Sequence, residues 1–80
     1  MIRMSALYTK IDTLRDLVDE TIGELEEAME EIEDRANERA SGEMTEREQE
    51  RYDEMERKIE ALRECMDNLE YARDDIEEWA

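Results

Sequence analysis

Eighty residues, 48% of them charged and only 5% aromatic, leave room for one domain with a thin core. A net charge of −16 and a pI near 4.2 exclude a phosphate-binding surface built on Lys and Arg, and with it direct binding to DNA, RNA or an anionic membrane. The absence of Pro and Phe and the dominance of Glu, Arg, Leu, Met and Ala read as long helix, provided the apolar residues are periodic.

They are. From Met4 the residues Leu7, Ile11, Leu14, Val18, Ile22, Leu25, Met29 and Ile32 follow one another by three or four positions, which lines them along one face of a helix. This predicts a first helix over about 4–39. Its companion positions drift from Leu7 and Leu14 to Ile22 and Met29, which suits an ordinary 3.6-residue helix better than a strict supercoil. Gly23 interrupts it and costs about 1 kcal/mol relative to Ala.

Beyond Ile32 the ladder fails, leaving only Ala36, Ala40 and Met44 among polar residues. Ser41-Gly42 supplies a stop, since Gly adopts the left-handed conformation cheaply. Thr45-Glu46-Arg47-Glu48 supplies a start, because it matches a capping box. The apolar phase slips between the two segments. Together these predict a turn at about 40–44, in preference to one unbroken helix in a long coiled-coil dimer.

The second helix is predicted over about 45–79. Tyr52, Met55, Ile59, Leu62, Met66 and Leu69 make an unbroken ladder that Ala72, Ile76 and Trp79 extend. The expected fold is all-α: an antiparallel two-helix hairpin forming one domain over 1–80. Folding back places the nine acids of residues 19–34 beside Arg51, Arg57, Lys58 and Arg63, and the acidic C-terminal stretch beside Arg3, Lys10 and Arg15. A lone hairpin covers one seam only, so the sequence predicts a homodimer forming a four-helix bundle. The residues expected to supply core or oligomer contacts are Leu7, Ile11, Leu14, Val18, Leu25, Ile32, Tyr52, Met55, Ile59, Leu62, Met66, Leu69 and Ile76.

The chemistry-bearing motifs are few. No His stands in the chain, so His-based zinc or di-iron sites and the usual general base are excluded. No Gly-rich phosphate loop or calcium loop occurs, and no cofactor is expected. Cys65 is the only cysteine and reads as a reduced thiol in a cytoplasmic protein. No stretch approaches the roughly 20 apolar residues of a membrane span.

Glu26-Glu27-Ala28-Met29-Glu30 and Glu64-Cys65-Met66-Asp67 resemble the Glu-Glu-x-x-Glu and Glu-x-x-Asp pair of the all-α nucleotide pyrophosphohydrolases. The resemblance implies magnesium held between facing helices against a substrate's phosphates. The separation is longer than that family's, and a turn near residue 42 sets Glu27 opposite about residue 57. The expectation is therefore a chain without enzymatic activity.

The most unusual segment is the acid row Asp19, Glu20, Glu24, Glu26, Glu27, Glu30, Glu31, Glu33 and Asp34, which has no base within it. Like charges four apart, as in Glu26/Glu30 and Glu27/Glu31, each cost a few tenths of a kcal/mol, so stability alone would interleave Lys. One reading is a solvated face kept soluble by charge. The functional reading is an anionic surface for a protein partner with a basic face. In charge and size the chain also looks like the small acidic nucleic-acid mimics of phages and mobile elements, which inhibit basic host enzymes. A structural coiled-coil scaffold is the remaining alternative.

Overall fold

The computed structural model describes residues 3–80; Met1 and Ile2, the first two residues of the expected domain, lie outside them. The chain forms α1 (Met4–Glu38) and α2 (Glu46–Glu77), packed against each other as a hairpin 59 Å long and 18 × 14 Å across. Among the described residues there are no strands, and no helix is long and apolar enough to cross a membrane.

The turn is built by three local devices. Arg39 ends α1 in an extended conformation, its N–H donating to Ala36 O. Gly42 adopts φ +68°, a left-handed geometry that a side chain would strain. It sits three residues beyond the cap, so the stop comes from Arg39 and Gly42 reverses the loop. Thr45 then completes the predicted capping box: its hydroxyl accepts from Glu48 N–H at 3.2 Å, and its own N–H donates to Glu48 Oε1 at 2.9 Å.

The core is one seam. Val18, Ile22, Ile32, Ala36 and Ile59 are buried, and none of them falls below 3% exposure. Val18, Ile22 and Ile59 form its centre, with Leu25, Met29, Leu62, Cys65, Met66 and Leu69 packed around them. The buried residues run from the middle of the hairpin, at Val18, Ile22 and Ile59, to the turn end, at Ile32 and Ala36. The large apolar side chains left exposed are Met4, Leu7, Leu14, Leu17, Tyr71 and Trp79, all in the open half.

Gly23 has no packing reason to be glycine: a Cβ there would meet nothing within 4 Å. Gly23→Ala is expected to raise unfolding stability by about 1 kcal/mol through helix propensity alone. A urea melt followed by helical circular dichroism measures this, and a loss of stability would mean the position serves a close approach absent from the single hairpin.

Candidate functional site

The nine acids of the row are all exposed. At about 3.6 residues per turn, most of them project from α1 on the side away from Leu14 and Leu17. Two find a partner within the hairpin: Glu26 lies 3.7 Å from Arg63, and Glu33 accepts from the Tyr52 hydroxyl at 2.5 Å. The hydrogen bond to Glu33 pushes the Tyr52 pKa up, since the phenol proton is held by a carboxylate. Glu26, Met29, Glu30, Glu33 and Tyr52 line an open cleft of about 340 Å³ between the helices. Three carboxylates beside an aromatic ring suit the ammonium or guanidinium of a basic side chain.

The expected cross-helix neutralisation is mostly not made. Of Arg51, Arg57, Lys58 and Arg63, only Arg63 reaches the row, whereas Lys58 pairs with Glu54 of its own helix at 3.2 Å. Among the described residues Arg3, Lys10, Arg35, Arg47, Arg51 and Arg57 form no ion pair. The reason is geometric, because side chains at one axial level but on opposite flanks of the seam cannot meet.

Ordered polar contacts gather instead at the two ends. In the open half, Arg15 meets Glu70 at 2.7 Å, and Arg73 donates to Asp12 at 2.8 Å while lying over the Tyr8 ring, 5.7 Å from its centroid. The Nε atoms of Arg15 and Arg73 are buried without a partner. Arg73 thus covers Tyr8 at the open end of the hairpin, while the nearby aromatics Tyr71 and Trp79 stand 70% and 67% exposed.

At the turn, Arg39 clasps Glu48 with two donors, Nη2 at 2.7 Å from Oε2. That hydrogen bonding, with the Thr45 N–H, pulls the Glu48 pKa down to about 2 from an ordinary 4.5. A carboxyl with a depressed folded pKa stabilises the turn fully above its unfolded value and loses that contribution as pH falls through the folded one. The clasp is therefore expected to loosen between about pH 4.5 and 2. A carboxyl-carbon NMR titration of Glu48 should show a midpoint near 2, and a midpoint near 4.5 would remove the clasp.

Of the residues expected in the core or at an oligomer contact, Val18, Ile32 and Ile59 are buried. Ile11, Leu25, Tyr52, Met55, Leu62, Met66, Leu69 and Ile76 are half-buried, and Leu7 and Leu14 are exposed. Sequence reasoning missed Leu17, the most exposed leucine at 56%. Its signal was its place three residues after Leu14, which extends the Leu7–Leu14 flank beside the main ladder.

The two acidic motifs that resemble a pyrophosphohydrolase do not converge. Arg15–Glu70 and Asp12–Arg73 set the register, so Glu64 is level with about residue 21, roughly 9 Å along the axis from Glu27. Among the described residues no three His, Cys, Asp or Glu side chains are grouped to hold a metal ion. No family model, curated protein or solved structure matches the chain.

Proposed function

We propose that this chain is a non-catalytic interaction protein: it self-associates through its apolar flank, two hairpins making a four-helix bundle, and engages a protein with a basic surface through Asp19–Asp34. The observation that carries the reading is the largely unpaired state of the acid row, in which, among the described residues, only Glu26 and Glu33 contact a partner in the hairpin. A rigid helix holding unneutralised carboxylates attracts a complementary surface over a Debye length and fixes its register. Self-association rests on the apolar side chains of the open half, since a single seam with five buried residues gives a thin core.

A nucleic-acid channel is one such basic surface, and the same row, in which carboxylates follow one another along a rod, supports that second reading. The test is affinity capture at low and high salt, with and without competing DNA. A basic partner released by salt supports the interaction reading, and its displacement by DNA selects the mimic. Recovery of the chain alone, insensitive to salt and DNA, would leave a structural scaffold.

A further inference from the structure

The four large apolar residues left exposed on α1 are spaced in a pattern that reads the same in both directions. Met4, Leu7, Leu14 and Leu17 are separated by three, seven and three residues, symmetrical about the midpoint between Lys10 and Ile11. On a helix Leu7, Leu14 and Leu17 share one flank, which Thr21, Leu25 and Ala28 continue, while Met4 lies about 140° around the helix from Leu17. The Thr21 hydroxyl bonds back to Leu17 O at 2.8 Å, which leaves its methyl group for the flank. A two-fold interface is self-complementary, so any residue i that meets residue j of the copy requires j to meet i. An antiparallel contact about that midpoint meets the requirement, with Leu7 against the copy's Leu14.

We propose that a second copy of this chain docks on the open half of the hairpin, antiparallel, with its two-fold axis beside Lys10 and Ile11. The inference rests on the self-association reading above and adds the surface and the orientation. Charge selects the orientation. Residues 3–18 hold three bases and two acids, while residues 19–34 hold nine acids and no base. Residues 65–80 add six acids and one base, so antiparallel overlap joins open halves of net charge −4 and sends the more acidic rows to opposite poles. A parallel dimer would set the two rows side by side.

The register also brings opposite charges to one height. Asp12 with Arg73 and Arg15 with Glu70 place Ile11 level with Asp74 inside each hairpin. Lys10 of one copy, level with Ile11 of the other, then lies at the height of that copy's Asp74 and Asp75. Lys10 makes no ion pair within its own hairpin among the described residues.

The experiment begins with sedimentation equilibrium of the full chain across the micromolar range. A monomer throughout would overturn self-association itself. Given a dimer, Leu14→Glu is expected to leave only monomer, whereas Thr9→Glu, which adds the same charge on the exposed face of α1 opposite the seam, keeps the dimer. Dimer retained by Leu14→Glu would overturn the surface. Orientation is read from two single-cysteine variants in a Cys65→Ser background, Lys10→Cys and Glu43→Cys, treated with a short bifunctional thiol reagent. Antiparallel docking at the open halves cross-links the first and leaves the second untouched. Cross-linking of both would mean a parallel dimer and of neither a fully overlapped one, and either result overturns the proposed geometry while leaving self-association standing. Helical circular dichroism of each variant, unchanged from the parent, separates lost docking from lost folding.

Discussion

Ile59→Ala is expected to destabilise the hairpin by about 2–5 kcal/mol, the loss usual for a buried large-to-small change. Ile59 is 5% exposed and is the only residue of α2 among the buried core, where it meets Val18 and Ile22 of α1. Truncation removes the contact that the rest of the seam is built around, and rigid helices on either side cannot close the gap. A domain of this size has a total stability on the order of 4–12 kcal/mol, so the loss takes a large share of it. The transition midpoint should fall by about 10–30 °C in a thermal melt. Tyr71→Ala, at a side chain 70% exposed, is the control and should stay within about 0.5 kcal/mol of the parent. Equal effects of the two substitutions would mean that the helices do not pack along this seam.

Replacing both Glu27 and Glu30 by Lys should strengthen the hairpin and abolish capture of a basic partner. The like-charge pairs Glu26/Glu30, Glu27/Glu31 and Glu30/Asp34 become opposite-charge pairs, each worth a few tenths of a kcal/mol on a helix surface. Summed over three pairs the gain is about 1–2 kcal/mol, and it should shrink as salt is added. The same double variant places two ammonium groups on the surface proposed to receive a basic protein, one of them on the cleft lined by Glu30 and Tyr52. Capture should fall at least tenfold, a change of about 1.4 kcal/mol in binding. Stability that rises while capture persists would assign the acid row to solubility alone. Stability and capture lost together would mean that the row supports the fold in a way the hairpin does not reveal.

The pattern of what was readable follows from the range of each interaction. Periodicity and capping are local, and they placed both helices within two residues of their observed ends: 4–39 against Met4–Glu38, and 45–79 against Glu46–Glu77. The capping box at Thr45 and Glu48 was legible because both partners lie within one turn of helix. Arg39 with Glu48 and Arg73 over Tyr8 were not, because each joins residues whose meeting depends on the turn and on the rotation of one helix about the other. For the candidate surfaces, the composition of the acid row was plain in the sequence. That it stays largely unpaired was not, since Arg51 and Arg57 were expected opposite it.

By itself the sequence determined that the chain is two amphipathic helices reversing near residue 42. Apolar spacing of three and four, a left-handed glycine and a capping box act over a few residues and need no tertiary information. It also determined the excess of acid and the segment that holds it. The tertiary structure decided which flank of each ladder is covered. Two helices of nearly equal length meet along one line only, and their relative rotation buries Val18, Ile22 and Ile59 while leaving Leu7, Leu14 and Leu17 facing outward. Spacing alone cannot make that distinction, because Leu14 and Val18 are four residues apart and belong to the same ladder.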